Sequence, residues 1–132
     1  MNITDPHIRK LEENQIFVFG SNLSGIHSAG AAKTGLIWGA KWGQSSGLQG
    51  QTYAIPTKDK AVFRTLSIDE IKHYVDQFIE FAKANTNLTF LVTEIGCGLA
   101  YCTPEKIAPL FANCKTLDNV YLPKRFWEVI NK

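Results

Sequence analysis

Four short apolar runs, rich in β-branched and aromatic residues, alternate with longer stretches of helical periodicity, and this alternation most constrains the fold. The runs are "QIFVFGSN" (15–22), "QTYAIPTK" (51–58), "LTFLVTEI" (88–95) and "NVYLP" (119–123). Gly-Ser-Asn stops the first, as expected of a buried strand. The third is apolar on both faces through much of its length, the pattern of a central parallel strand. In the second, Pro56 cannot donate to a ladder and belongs at the strand's end or at a sheet edge.

Between the first two runs, "GIHSAGAAKTGLIWGAKWG" (25–43) sets Ala29, Ala32, Leu36 and Ala40 at helical spacing. So many small residues predict a helix lying close against its neighbours, with Trp38 and Trp42 on it as packing residues. "GQSSGLQG" (43–50) reads as a flexible polar connection. After the loop "DKAVFRTL", Ser67 and Glu70 form a capping-box pattern, and Ile71, Tyr74, Val75, Phe78 and Ala82 line one helical face. "TPEKIAPLFANC" (103–114) predicts a helix with Thr103 at N-cap and Pro104 at N1, shortened or kinked by Pro109. "KRFWEVINK" closes the chain as a short helix or tail. Residues 1–14 are compatible with an extra strand or with a capping helix.

The order β-α-β-α-β-α-β predicts an α/β fold, a three-layer α-β-α sandwich around a mainly parallel sheet. The 132 residues suffice for one domain with a core of its own. Composition places that domain among soluble proteins: 45% of residues are hydrophobic and 20% charged. The net charge of +2, without a basic stripe, gives no signal for nucleic acid. No run approaches the ~20 apolar residues of a membrane span, and the opening stretch lacks the apolar core of a secretion signal. Three cysteines are an odd number, which predicts free thiols and a cytoplasmic location. Their spacing, without a nearby histidine, does not fit zinc.

Right-handed crossovers bring the strand-to-helix loops of such a sheet to one edge, where ligands of open α/β sheets bind. Loops 20–28, 57–66, 94–103 and 123–125 are expected on that edge, and loops 43–50, 84–88 and 114–118 on the opposite one. The functional edge then holds Gly20, Ser21, Asn22, Gly25, His27, Ser28 and Gly30, followed by Thr57, Lys58 and Asp59. The third loop adds Glu94, Ile95, Gly96, Cys97, Gly98, Leu99 and Tyr101, with Lys124 and Arg125 from the fourth. Two glycine-containing loops that each open a helix can cradle phosphate, because glycine lets the backbone approach and the helix start favours an anion. The same glycines can simply turn the chain.

Individual residues carry two readings each. Asn22 is a cap or Asx-turn residue, or its carboxamide holds a ribose hydroxyl or a water. His27 is a surface or capping residue, or an acid–base catalyst. Cys97 is a small packing residue, or a thiol whose pKa is lowered near a helix start. Tyr101, in the loop itself, is placed to stack on a ring. Asp59 and Glu94 are the only carboxylates near the edge, a poor fit to a paired-acid mechanism. No P-loop, Gly-x-Ser-x-Gly or dinucleotide-binding fingerprint is present.

"TEIGCGLAYCTPEKIAPLF" resembles the strand–loop–helix segment of macrodomains, in which a glycine-containing turn precedes a proline that starts a helix. "VFGSNLSGIHSAGAAKTG" resembles the same family's earlier segment, a strand ending in asparagine followed by a glycine-rich loop and a small-residue helix. "QTYAIPTK" falls where macrodomains place the intervening strand, so the likeness spans roughly residues 15 to 123. The first loop differs in lacking a run of consecutive glycines.

Macrodomains bind ADP-ribose, and some hydrolyse ADP-ribosyl linkages. The resemblance implies that 22–30 and 95–102 surround the diphosphate and distal ribose. Asn22 would match an asparagine that positions a water in hydrolytic members, and Tyr101 an aromatic residue beside the ribose. The family's adenine-recognising aspartate has Asp5 as its candidate here. The expectation is a binder of ADP-ribose, or of an ADP-ribosylated macromolecule. Any hydrolase activity would need neither metal nor redox cofactor, with Asn22, His27 and Asp59 as the catalytic candidates. A non-catalytic sensing module and a protein-interaction domain are the alternatives.

Overall fold

The computed structural model describes residues 1–61, 64–97 and 102–132. Among them the chain forms an α/β fold with a five-stranded, mostly parallel sheet and four α-helices. The strands are β1 (Gln15–Asn22), β2 (Gly47–Gln49), β3 (Thr52–Lys58), β4 (Thr89–Val92) and β5 (Val120–Tyr121). The helices are α1 (Gly30–Gly35), α2 (Ile68–Ala84), α3 (Pro104–Ile107) and α4 (Lys124–Ile130). The sheet order is β2-β3-β1-β4-β5; β2 runs antiparallel to β3 and the remaining pairs are parallel.

β1 is central and buries both faces, as a continuous apolar run requires. Ile16 and Val18 join a large core with α2, α4 and the segment 107–114, whereas Phe17 and Phe19 join a smaller one with Ala32, Ala40 and Ala54. The alternation follows from the two-residue period of a strand. In the large core, Phe78 of α2 lies 5.2 Å from the Tyr53 ring and 5.4 Å from the Phe90 ring, centroid to centroid.

α2 forms as expected. Ser67 caps it, its hydroxyl accepting from Glu70 N–H at 3.1 Å while the Glu70 carboxylate accepts from Ser67 N–H at 3.0 Å. Pro109 also acts as expected: α3 stops at Ile107, and Ala108–Thr116 continues as a 3-10 helix. Pro56 faces no ladder loss on its outer side, because β2 pairs with β3 only as far as Ala54. Residues 1–14 form neither a full strand nor a helix. Ile3 makes one parallel bridge to Leu122, and Thr4 N–H donates to Leu122 O at 2.9 Å.

Two expectations need correction. The helix expected over 25–43 is only α1 plus a 3-10 turn at Leu36–Trp38, ended by left-handed Gly39. Ala40 still packs in the smaller core, but Leu36 is exposed and Trp42 lies beyond the helix, 63% exposed. The second correction concerns 43–50, which contains β2 and turns back toward the end of β1. Its residues 43–45 pack beside 21–25 rather than at the opposite edge: Gly43 N–H donates to Gly25 O at 2.8 Å, and the Ser21 hydroxyl donates to Ser45 O. Fully buried Gln49 holds the segment in shape, its Oε1 accepting from Lys41 N–H at 2.6 Å and its Nε2 donating to Gln44 O at 3.2 Å.

Candidate functional site

The parallel strands β1, β3 and β4 end side by side, and a cleft of about 350 Å³ opens over their carboxyl ends. Gly20, Ser21 and Asn22 form one part of it, Ser28 and Gly30 a second, Thr57 and Lys58 a third, and Ile95 and Gly96 a fourth. Three of the four loops assigned to this edge from sequence therefore meet there, whereas 123–125 does not line this cleft. A second cleft of about 770 Å³ adjoins the first, with Ala31, Thr93 and Glu94 in both walls. It is bounded by the N-terminal segment, including Asp5 and Arg9, and by Pro123, Lys124 and Arg125.

Local bonding fixes the first loop. Asn22 is buried at the end of β1, its Oδ1 accepting from Ser24 N–H at 3.2 Å and Ile26 N–H at 3.0 Å, while its Nδ2 donates to Ile26 O at 2.8 Å. The carboxamide thus staples residues 22–26, as an Asx-type turn does. Gly25 does not line the cleft; its left-handed φ of 67° lets the chain cross Gly43 and Gln44 at close range.

His27 is fully buried rather than facing ligand. Its ring stands edge-on to Phe19 at 5.3 Å and to Trp42 at 6.3 Å. Nε2 lies 2.9 Å from Lys41 O, and because a carbonyl only accepts, Nε2 carries the proton there. Nδ1 finds no partner among the described residues. Asp59 also stands off the cleft, with its Oδ2 3.7 Å from Arg64 Nε.

In the third loop, Ile95 N–H donates to Thr93 O at 2.7 Å and Cys97 N–H to Glu94 O at 3.1 Å. Those two groups close the turn and are not directed at a ligand; the Gly96 N–H makes no hydrogen bond to the described residues. Gly96 adopts φ 78°, and a β-carbon there would meet Ile107 Cδ1 at 3.1 Å. Gly98, Leu99 and Tyr101 lie outside the described residues.

Cys97 is half-buried and does not line either cleft. Burial and the nearby Glu94 carboxylate push its thiol up to about 11, against a smaller opposing pull from Arg125. The lowered pKa considered from sequence is thus reversed: four-residue α3 follows, and desolvation dominates. Native protein at pH 8 is expected to alkylate at Cys97 at least tenfold more slowly than free cysteine, because the thiolate is the nucleophile. Peptide mapping after timed iodoacetamide exposure checks this, and a rate matching free cysteine would contradict the protonated state.

Sequence reasoning did not weigh Ala31 and Thr93, which line the junction of the clefts, nor the pairing of Glu94 with Arg125. A carboxylate on one predicted edge loop and an arginine on another were the available signal. Among the described residues no group of three His, Cys, Asp or Glu could hold a metal ion, and no helix is long and apolar enough to cross a membrane. In comparisons with protein-family models, curated proteins and solved structures, the chain matches none.

Proposed function

We propose that the protein binds ADP-ribose or a related nucleotide diphosphate, free or attached to a macromolecule, at the carboxyl edge of its parallel strands, in a three-layer macrodomain-type fold. The observation that carries this reading is the joined pair of clefts at that edge. The smaller cleft offers glycine-lined backbone and one cation, Lys58, to a diphosphate. The larger is sized for a nucleoside, and Asp5 stands on its wall, where the family resemblance looks for an adenine-recognising carboxylate. The division of α1 and α2 between two apolar clusters accords with a layer of helices on each face of the sheet.

Between binding and hydrolysis, the site favours binding without turnover. His27 is sealed in the interior, Asp59 pairs with Arg64 away from the cleft, and the Asn22 carboxamide is engaged by its own loop. A general base must come within about 3 Å of the proton it takes, directly or through one water.

Calorimetric titration with ADP-ribose, with AMP and ADP as controls, tests the reading. ADP-ribose is expected to bind with a micromolar Kd and more tightly than either control. Ala31→Glu puts a carboxylate at the junction of the clefts and is expected to weaken binding by at least about tenfold through like-charge repulsion. No heat from any of the three nucleotides would remove the assignment.

A further inference from the structure

Cations gather on the larger cleft from two segments far apart in sequence. Arg9 comes from the N-terminal segment, Lys124 and Arg125 from the first turn of α4. Asp5 and Glu94 are the acids on the same walls. Asp5 Oδ1 is engaged locally, accepting from His7 N–H at 2.8 Å. Glu94 holds Arg125 by two parallel hydrogen bonds, Nε to Oε2 at 2.7 Å and Nη2 to Oε1 at 2.8 Å.

This ion pair stands in the open. The Arg125 side chain is 55% exposed and that of Glu94 is 43% exposed. Water and salt therefore screen the attraction, and a second anion competes for the guanidinium at small cost. The fork that now grips a carboxylate fits a phosphate equally well. Glu94 also belongs to the smaller cleft, so the pair lies beside the route from one cleft to the other.

The volume points the same way. At about 770 Å³ the larger cleft lies within the ~300–1,000 Å³ typical of small-molecule sites, which leaves room for a phosphate beside a nucleoside. A nucleotide whose diphosphate occupies the smaller cleft sends its nucleoside past Glu94 toward Arg125, Lys124 and Arg9. On the strength of the proposed nucleotide reading, we infer that the larger cleft is a second anion subsite, taking a phosphate carried on the nucleoside sugar. The ligand class is then a nucleotide diphosphate with a third, separate phosphate. Arg125 exchanges Glu94 for that phosphate and keeps its bidentate grip, while Lys124 and Arg9 add point charges.

The two partners of the ion pair should move affinity in opposite directions. Calorimetric titrations at fixed ionic strength compare ADP-ribose, ADP-ribose 2′-phosphate and adenosine 2′,5′-bisphosphate. The added phosphate of ADP-ribose 2′-phosphate is expected to tighten binding about tenfold or more, as charge-assisted contacts do, and added salt should narrow the ratio. Arg125→Gln and, separately, Arg9→Gln should bring the ratio toward one. Glu94→Gln should widen it about threefold, because it removes the competitor. A purely structural role for the pair would make Arg125→Gln and Glu94→Gln act alike.

Equal affinity of the two ADP-ribose forms for the unaltered protein would overturn the subsite while leaving the ADP-ribose reading intact. A ratio that both arginine variants leave unchanged would overturn it too. Binding of the 2′-phosphorylated nucleotides without ADP-ribose itself would support the subsite and weaken the simpler reading. Silence toward all three would remove both.

Discussion

Replacing Gly25 by alanine is expected to lower stability by about 3 kcal/mol, read as a fall in Tm of roughly 10 °C for a domain of this size. Two costs combine. A side chain at φ 67° sits in the left-handed region, which costs an L-residue about 1–2 kcal/mol. The new β-carbon would also stand 2.4 Å from Gly43 C and 2.6 Å from Gln44 N, so two backbone segments must part. Gly43→Ala provides the control. Gly43 shares the left-handed conformation, at φ 94°, but nothing lies within 4 Å of its added carbon. It should therefore incur only the conformational cost, about 1–2 kcal/mol. Equal losses in the two variants would mean that the crossing yields freely and that close approach does not explain Gly25.

Truncating Phe78 to alanine should cost about 3–5 kcal/mol, the range for a fully buried aromatic. The ring has no exposure and lies at the centre of the large core, against Tyr53 and Phe90 and 6.3 Å from Phe111. It ties α2 to two strands and to the 3-10 segment, so the surroundings cannot collapse onto the gap from one side. With a total stability of about 5–15 kcal/mol for a typical domain, such a loss approaches global unfolding. Phe78→Leu keeps most of the volume and should lose about half as much or less. Chemical denaturation of the three proteins gives the comparison; a loss below about 1.5 kcal/mol for the alanine variant would show that the core refills the space.

Phe78 and Gly25 also mark what the sequence could and could not reveal. The face of α2 was legible because Ile71, Val75, Phe78 and Ala82 repeat at the helical period, and Ser67 with Glu70 announces the start. The four principal strands were legible for the same kind of reason, and their alternation with helices led correctly to a mostly parallel sheet. Gly25 was legible only as a glycine in a loop. What it accommodates is a segment 18 residues later, and no local pattern encodes a crossing between two chain segments.

β2 was hidden for a related reason. "GQSSGLQG" has the composition of a loop, and it becomes a strand only because β3 offers an open edge beside it. At the site, the convergence of residues 20–22, 57–58 and 95–96 followed from topology alone. Which way His27 points did not. A histidine in a polar-looking loop carries no mark of the Phe19 and Trp42 rings that enclose it. The Glu94–Arg125 pair joins a loop to the first turn of α4, 31 residues apart, and only the fold sets its geometry.

The two outermost strands, three residues in β2 and two in β5, have a bearing on self-association. A sheet recruits further chains through long unpaired borders, which act as templates for intermolecular pairing. Here β1 is paired on both sides, and the outer side of β3 is covered by β2 over Thr52–Ala54 and carries Pro56 in the short remainder. Among the described residues the β5 border continues through the Ile3 bridge to Leu122. Leu48 is exposed on β2, yet it lies in a stretch too short to register a stable ladder with another molecule. The brevity of its borders is therefore a built-in protection against edge-to-edge aggregation, obtained without charged gatekeepers in either outer strand.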